Sequence, residues 1–546
     1  MKKFFSIARI VLCLLVSRSG AQTPFSTTAV LNVNNIEAMV SVHGDMWRDP
    51  TSGAAHCAVP AGSGKNIAST GALWMSGYDA ANSLHIAAQT YRQDGNDYWP
   101  GPLDGSGALT YATSQSWAKI WSVNRDEIAL FKTMSVAGTA TPTNTAAAIW
   151  EWPAKGNTHA KGNGGVALTI TDDMAPFKDV NGDGIYNPDD GDYPDVPGDQ
   201  NLWWVFSDNG PSHSQTNGQP LKVEVHALAF GFKRWSALDN ILYFQYDILN
   251  KSTNDYQKFR IGQYADMDLG SPTDDYIGCD TARGLGIVYN GNPTDAVYGT
   301  NMPMAGITMR VFGGGIANFI YDNNDASLAG MPTTAIQYDN YLRSKFRDGT
   351  HLAMDFAGPG VVTTGYGAGP STNFAFNGNP ADHTQWSECN SGNTPGDRRF
   401  ILSTGDMTLT AGAKISATIM LLTTDLRPNN ACGSANFSSL DSISDVAVAG
   451  FDDNYHNMPL QVDNTPAISE INVYPNPANN TLFVDHAGIA GSKTTIIIYN
   501  IMGQAMNAPI TLSGQKATID ISALPAGLYQ VVCRGDVIVT GKFLKE

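Results

Sequence analysis

The chain has 546 residues, a formal net charge of −17, 55 Gly and 28 Pro. At roughly 100–200 residues per domain, this length predicts two to four folding units, and the acidic balance without any basic patch excludes nucleic acid as a partner. Aspartate accounts for all but seven of the 50 acidic residues. Because aspartate collects in turns, caps and hard-cation sites whereas glutamate favours helices, this bias predicts a mostly β protein with many turns.

The first residues, MKKFFSIARIVLCLLVSRSGAQT, have the pattern of a secretory signal peptide. Lys2 and Lys3 precede an apolar run, and Ser19 and Ala21 stand at the small-residue spacing of a cleavage site. The run is shorter than the ~20 residues that span a bilayer, and no later segment is longer and as apolar. We therefore predict a signal peptide at 1–21 and no transmembrane segment.

Residues 22–460 are predicted to form a β-rich body, a large β-sandwich-type fold of one or two subdomains. The segments LWWVFSD, LKVEVHALAFGF, ALDNILYFQYDILNKS and QKFRIGQYADMDLG alternate apolar and polar residues, as half-buried strands do. Further along, FILSTGDMTLT and KISATIMLLTT surround AGA, which predicts a β-hairpin. The spacing of Leu440, Ile443, Val446 and Phe451 predicts a short helix that closes the body.

The mature chain carries an odd number of cysteines without CxxC spacing: Cys57, Cys279, Cys389, Cys432 and Cys533. In an oxidising compartment one or two disulfides can form, and the sequence does not assign them. Of the pairs, we favour Cys389 with Cys432.

The stretch DVNGDGIYNPDDGDYPDVPGDQ, residues 179–200, fits a twelve-residue calcium loop. The predicted ligands are Asp179, Asn181, Asp183, the Ile185 carbonyl, Asn187 and Asp190. Asp189 is an alternative for the last position, and Gly184 allows the sharp turn that brings the later ligands round. The stretch resembles dockerin and EF-hand-type calcium loops, which implies calcium as the bound ion. Pro188, Pro194 and Pro197 exclude a regular helix after the loop, so we expect it to clip irregular chain together; the alternative is a solvated acidic turn.

A second acidic cluster lies in YADMDLGSPTDDYIGCD. Asp266 and Asp268 stand two apart, which places them on one face of a strand. Asp274, Asp275 and Asp280 follow across a turn that contains Gly and Pro. The cluster predicts a second cation site, with a solvated acidic turn again as the alternative.

Motifs of catalysis are missing from the sequence. It contains no His-Glu-x-x-His, no Gly-x-Ser-x-Gly, no phosphate loop and no cysteine-protease context. Glu151 or Glu224 with an aspartate would provide the carboxylate pair of a glycosidase, but any acidic chain offers such a pair. His226 lies on a predicted strand, where we expect it to be packed or exposed and not to bind a metal. The aromatic segments EWP at 151, DYWPGP at 97 and NLWWVFSD at 201 are candidates for sugar stacking, with a place in the β core as the alternative.

The C-terminal part begins after LQVDNTPAISE, where the lack of periodicity and the proline predict a linker at 461–470. From residue 471 onward, alternating runs rich in Val, Ile, Thr and Tyr are separated by Asn-Pro, Gly and Pro-Ala-Gly turns. This pattern predicts a small antiparallel, immunoglobulin-like β-sandwich at 471–546.

The order and spacing of these pieces resemble the type A C-terminal sorting domain of the type IX secretion system of Bacteroidetes. The matching residues are Pro475, Asn476, Pro477, Gly503, Leu524, Pro525, Gly527, Tyr529 and Lys542. The resemblance implies recognition by the type IX secretion machinery, transport across the outer membrane and, in many cargoes, removal of the domain and attachment to surface lipopolysaccharide. An ordinary immunoglobulin-like module is the alternative. The body segments ALWMSGYD, DYWPGPLD and DLGSPTDDYIGCD also resemble parts of large secreted proteins with this domain, which implies no particular chemistry.

These features predict an exported, calcium-stabilised β-protein that is secreted or held at the outer cell surface. The favoured role is non-enzymatic binding or adhesion, with glycans among the candidate ligands, and the alternative is an extracellular polysaccharide hydrolase. A cleft with two converging carboxylates would favour the hydrolase. An aromatic-faced sandwich with acidic clusters at its loop ends would favour the binding protein.

Overall fold

A computed structural model of the chain describes residues 25–546, apart from 92–94, 235, 312–314, 368, 429, 454, 456–470, 486–494, 501–504, 507, 514–515 and 535–537. The chain divides into two compact units, Met1–His456 and Asn457–Glu546, called here the body and the C-terminal domain. The predicted signal peptide, the predicted linker and Gly503 lie outside the described residues. The structure is mostly β, which confirms the predicted fold class.

The strands of the body pair in antiparallel sheets throughout the described residues. In chain order they are β1 (Thr28–Leu31), β2 (Glu37–Ser41), β3 (Cys57–Ala58), β4 (Thr70–Tyr78), β5 (Leu84–Ala87), β6 (Trp99–Pro100), β7 (Trp121–Asn124), β8 (Phe177–Lys178), β9 (Tyr193–Pro194), β10 (Gln200–Ser207), β11 (Val223–Gly231), β12 (Ile241–Asn250), β13 (Tyr256–Asp266), β14 (Asp275–Asp280), β15 (Leu285–Asn290), β16 (Ala305–Val311), β17 (Ile316–Asn323), β18 (Arg398–Thr404), β19 (Met407–Leu409) and β20 (Lys414–Thr423). The helices are α1 (Tyr111–Trp117), α2 (Arg125–Val136), α3 (Ala147–Trp150), α4 (Ala335–Tyr341) and α5 (Ser438–Asp452), with short 3₁₀ turns at Asn163–Gly165, Pro188–Asp190 and Ala237–Asn240.

Two large sheets form the centre of the body. The first has the order β14-β15-β16-β20-β12-β11-β10-β6, with β7 also paired to β10, and the second has the order β17-β18-β13-β4-β5, with β19 paired to β13. One apolar core contains side chains of both sheets, such as Trp204 and Phe244 from the first and Trp74 and Tyr264 from the second. Antiparallel sheets that share a core in this way form a sandwich.

The first sheet is covered on its outer face as well. All residues of β11 are buried. Trp203 of β10 packs on this face against Trp121 of the neighbouring strand β7 and against Trp152, at ring-centroid distances of 5.8 and 6.2 Å. Trp121 and Trp152 belong to the segment 111–199, which carries α1, α2, α3 and the predicted calcium loop. The loop therefore lies in the layer that shields the sheet from water.

The predicted hairpin around AGA is wrong in its pairing, although its strands exist. β19 pairs with β13 in the second sheet, whereas β20 lies between β12 and β16 in the first. The seven residues 417–423 of β20 are all buried, so this strand needs neighbours on both edges. A hairpin partner as short as β19 does not provide them, and the turn instead crosses from one sheet to the other.

Two other expectations for the body are confirmed. The closing helix is α5, which buries Leu440 but leaves Val446 39% exposed, so the apolar face is narrower than the spacing predicted. Cys389 and Cys432 form a disulfide across a sequence separation of 43 residues.

The C-terminal domain is a small β-sandwich. Its strands are β21 (Asn472–Tyr474), β22 (Thr481–Asp485), β23 (Thr495–Asn500), β24 (Ala505–Met506), β25 (Ile510–Ser513), β26 (Lys516–Asp520), β27 (Gly527–Arg534) and β28 (Ile538–Lys545). They form two sheets, β21-β22-β26-β25 and β24-β23-β27-β28. Alternate residues of both sheets, including Val484, Ile519, Val531 and Phe543, form its core.

Candidate metal sites

The predicted calcium loop is closed at its base by a short strand pair. β8 and β9 pair antiparallel on either side of residues 179–192. Tyr186, in the middle of the loop, is buried and donates its hydroxyl to the Ile149 carbonyl at 2.6 Å, while its amide donates to the Lys155 carbonyl at 2.7 Å. The loop is thus fixed to the segment that covers the first sheet.

The first half of the loop winds around its own side chains. The Asp179 carboxylate accepts hydrogen bonds from the amides of Gly182 at 2.6 Å and Gly184 at 2.8 Å, which hold the pKa of Asp179 below its usual value. Gly184 has φ of +82°, a left-handed conformation that suits glycine. Asp183 in turn accepts from the Ile185 amide at 2.9 Å. These hydrogen bonds fold the first half of the loop around the Asp179 and Asp183 carboxylates.

The second half of the loop brings its side chains back to the first. Asp190 Oδ2 accepts from Asn187 Nδ2 at 2.7 Å and from Asn181 Nδ2 at 3.4 Å, and Asn181 Nδ2 also donates to Asp183 Oδ2 at 2.9 Å. Four of the six predicted ligands thus meet. Asp189 instead lies 3.1 Å from Nε2 of His159, which leaves Asp190 as the last member of the set.

One buried residue outside the predicted ligand set also holds the loop in place through hydrogen bonds. Asp192 is buried and accepts from the amides of Val180 at 2.8 Å and Asn187 at 2.9 Å. Burial, and then the charges of Asp179 and Asp183, raise the pKa of Asp192. Its position two residues beyond the twelve-residue pattern is the reason that the motif did not include it.

Three residues of the second predicted cluster have separate partners. Asp280 pairs with Arg283 at 2.8 Å, and Asp274 accepts from Asn292 Nδ2 at 3.3 Å. Asp275 is buried and accepts from the Leu269 amide at 2.9 Å. None of these three residues belongs to the group of close carboxylates that contains Asp266 and Asp268.

Asp266 and Asp268 meet Asp397 instead, and we call these three residues the aspartate triad. One carboxylate oxygen of each lies within 4.8 Å of the other two, and no other group of three His, Cys, Asp or Glu side chains in the described residues meets this closely. Asp397 was missed because it precedes β18, far along the chain from Asp266 at the end of β13. Only the pairing of these two strands brings them together.

Strand register builds a buried charge group around the triad. Arg399 of β18 lies opposite Asp266 of β13 and opposite Asp322 of β17, so the three side chains share one face of the sheet. Burial, together with like charge from the neighbouring aspartates, raises the pKa values of Asp266 and Asp268. Burial also raises the pKa of Asp322 to about 7.

The aromatic residues proposed for sugar stacking lie in the core. Tyr98, Trp99, Trp152, Trp203 and Trp204 are at most 1% exposed, so the core alternative holds for them. The glycosidase candidates are held in other contacts. Glu151 pairs with Lys119 at 2.8 Å, and Glu224 accepts from the Leu103 amide and lies 2.8 Å from Nε2 of the buried His226.

The sorting-motif residues form the structure of the C-terminal domain. Asn476 donates to the Lys542 carbonyl at 3.0 Å and accepts from the Leu544 amide at 2.9 Å, which ties the Pro475-Asn476-Pro477 motif to β28. Leu524 is in the core, and the Tyr529 hydroxyl donates to the Pro525 carbonyl at 2.8 Å, just before Gly527 begins β27.

Residues 472–545 match the family model described as "Secretion system C-terminal sorting domain". The match confirms the predicted sorting domain, and it indicates export of the protein to the cell surface or the medium. No helix of the described chain is long and apolar enough to cross a membrane. No curated protein matches the sequence.

Two solved structures show a distant likeness. One is a polysaccharide lyase with 11% identity and a TM-score of 0.16, where the match covers 59% of this chain and 34% of the lyase. The other is an inverting mannosidase of glycoside hydrolase family 92 from Bacteroides thetaiotaomicron, with 10% identity, a TM-score of 0.17 and coverage of 46% and 26%. The chain spans about a third and about a quarter of these proteins, and scores this low carry no argument about activity.

Proposed function

We propose that the protein is an exported, calcium-stabilised β-protein with a non-enzymatic binding or adhesion role at the cell surface or in the medium. The sorting-domain match supports export, and we infer delivery by the type IX secretion machinery, with surface lipopolysaccharide as the attachment partner once the domain is removed. The observation that carries the calcium proposal is the meeting of Asn181, Asp183, Asn187 and Asp190 in one closed loop.

Calcium would act on stability through the loop's attachment to the body. Clustered carboxylates repel one another until a cation neutralises them, and calcium prefers such carboxylate, amide and carbonyl oxygens. A cation that binds only the folded loop stabilises the fold by mass action. Because Tyr186 fixes the loop to the layer over the first sheet, loss of the cation is expected to loosen that layer.

Thermal unfolding of the full chain with calcium and with chelator tests the loop. Extracellular modules bind calcium at ~10⁻⁴–10⁻³ M, and at one hundred times the dissociation constant the gain is about 2.7 kcal/mol. Asp179→Ala with Asp183→Ala should remove the loop's share of this gain. Asp172→Ala with Asp173→Ala, two exposed aspartates of the same segment, removes equal charge and should leave the calcium response intact. An unchanged response in the loop variant would contradict the proposal.

We propose a polar groove of the body as the surface that binds a hydroxylated ligand. Its volume is about 800 Å³, and its lining is rich in amides and charges, including Asn32, Asn35, Asp425 and Arg427. A glycan array probed with the full chain, with calcium and with chelator, tests this role. Binding that Arg427→Ala and Asn32→Ala weaken would support it, and the absence of any bound glycan would count against glycans as ligands.

A further inference from the structure

The carboxylates of the aspartate triad each have one oxygen that lacks a hydrogen bond. Asp266 accepts the Tyr91 hydroxyl on Oδ2, Asp397 accepts Asn324 Nδ2 on Oδ2 at 2.8 Å, and Asp268 accepts from the Ser69 side chain. Oδ1 of all three is buried without a hydrogen-bond partner. Asp266 as a whole is only 3% exposed, so its free oxygen is far from compensating water.

Arg399 is close to the triad but does not satisfy these oxygens. Its Nε is 3.5 Å from Asp266 Oδ1 and donates instead to the Tyr91 hydroxyl at 2.7 Å. Its Nη2 is 3.3 Å from Asp397 Oδ1, without hydrogen-bond geometry. A buried carboxylate oxygen that lacks a donor carries a desolvation cost unless another positive group reaches it.

The charges around the triad are also out of balance. The three carboxylates and Asp322, which lies across Arg399 with both oxygens unpaired, face two guanidinium groups. These are Arg399 and Arg48, which both lie over the Tyr91 ring. The carboxylates outnumber the guanidinium groups, and a bound cation would offset the excess negative charge.

We propose that the aspartate triad binds one calcium ion through Oδ1 of Asp266, Asp268 and Asp397. The separations within 4.8 Å suit calcium, whose oxygen ligands lie at about 2.3–2.6 Å from the ion and so up to about 5 Å from one another. An all-carboxylate set without His or Cys favours hard cations over zinc or copper. Asp268 and Asp397 are partly exposed, so water can supply the remaining ligands. The site is separate from the 179–190 loop, and it would join the end of β13 to the start of β18.

Calorimetric titration of the full chain with calcium, after chelation, distinguishes the two sites. The wild type should bind two ions per chain, Asp179→Ala with Asp183→Ala should bind one, and Asp268→Asn with Asp397→Asn should bind one. The control is Asp274→Asn with Asp280→Asn, which removes equal charge from the same acidic stretch and should still bind two. If the loop variant binds none, or the triad variant binds as many ions as the wild type, the triad proposal is wrong. A wild type that binds a single ion, which the triad variant loses and the loop variant keeps, would contradict only the loop.

The triad variant, Asp268→Asn with Asp397→Asn, should also differ from the wild type in thermal stability when calcium is absent. Asparagine has nearly the shape of aspartate but carries no charge, so the substitutions remove repulsion between like charges. The chelated triad variant should therefore melt at a higher temperature than the chelated wild type. A lower melting temperature would overturn the proposal that uncompensated charge accumulates there. Magnesium titrated alone should give no binding at the triad, since it demands a tighter octahedral shell, and binding as strong as that of calcium would overturn the assignment of the ion.

Discussion

The 179–192 loop and the aspartate triad both concentrate negative charge, but their carboxylates differ in the hydrogen-bond donors that stabilise them. The loop takes its side chains from one exposed stretch, and its own amides donate to the Asp179 and Asp183 carboxylates. The triad takes Asp397 from a distant strand and leaves a buried oxygen on each carboxylate without a donor. A cation is therefore an addition to a loop that is already satisfied, whereas it completes the triad.

The largest effect is expected from Arg399→Met. The Arg399 side chain is 4% exposed and carries the positive charge that lies among Asp266, Asp322 and Asp397. Removal of one partner from a buried ion pair costs about 3–5 kcal/mol. The chelated variant should lose that much in the free energy of unfolding, measured by urea denaturation. Calcium should restore more stability than it adds to the wild type, because the triad is then more negative.

Arg427→Met is the matched control for this change. Arg427 forms an exposed pair with Asp425 at 3.1 Å, and exposed pairs contribute about 0–1 kcal/mol. Equal losses for the two variants would mean that the charge group around the triad is not effectively buried.

Removal of the disulfide is expected to have the next largest effect, and it should affect the triad but not the loop. The disulfide closes a sequence separation of 43 residues, and its removal is expected to cost about 2–4 kcal/mol through the unfolded chain. Since Asp397 follows Cys389 closely and the loop is elsewhere, Cys389→Ala with Cys432→Ala should weaken calcium binding at the triad and spare the loop. Cys279→Ala, which removes a buried free thiol, should leave both sites intact. Calorimetric titration measures this, and equal weakening of both sites would contradict the separation.

The same contrast explains what the sequence could predict. The loop's ligands are spaced within twelve residues, so their meeting follows from local turns at glycines such as Gly184. The strands were also predictable from the alternation of apolar and polar residues, but the pairing between strands was not. The hairpin expected between β19 and β20 is absent because the buried β20 needs a neighbouring strand on each edge. Asp397 joins Asp266 only through that long-range pairing. Asp274, Asp275 and Asp280 were assigned to the second site by proximity in sequence, but the close group of carboxylates contains Asp397 in their place.

Opposite responses to pH are expected from the two regions. Burial raises the pKa of Asp322 to about 7, so between pH 4 and 7 the folded state holds a proton that the unfolded chain has lost. The free energy of unfolding of the chelated protein should therefore fall as pH rises, by up to about 1.4 kcal/mol per unit. The lowered pKa of the exposed Asp179 works in the other direction, with stability lost as pH falls through it.

Asp322→Asn tests this slope, with the exposed Asp325→Asn as its control. Urea denaturation at pH 5 and 6 in chelator should show a shallower fall for Asp322→Asn and an unchanged fall for Asp325→Asn. A wild-type protein whose stability rises over this interval would contradict the view that the buried carboxylates outweigh the exposed ones.

The smallest effect is expected from a change in the backbone conformation of the loop. Gly184 has φ of +82° and Gly412, in the turn before β20, has φ of +74°, and a Cβ at either position would meet nothing within 4 Å. Alanine at each therefore adds only the strain of the left-handed conformation, about 1 kcal/mol. In Gly412→Ala the strain is unrelated to calcium, so binding should not change. In Gly184→Ala it falls on the turn that winds the ligands around the ion. The exposed ion-free loop is expected to relax whereas the bound loop keeps the strain, and a difference of about 1 kcal/mol corresponds to affinity lowered about fivefold at the loop. The triad should keep its affinity in both variants, because none of its three carboxylates depends on either turn. A Gly184→Ala protein that binds calcium at the loop as tightly as the wild type would mean that the ligands do not converge through this turn.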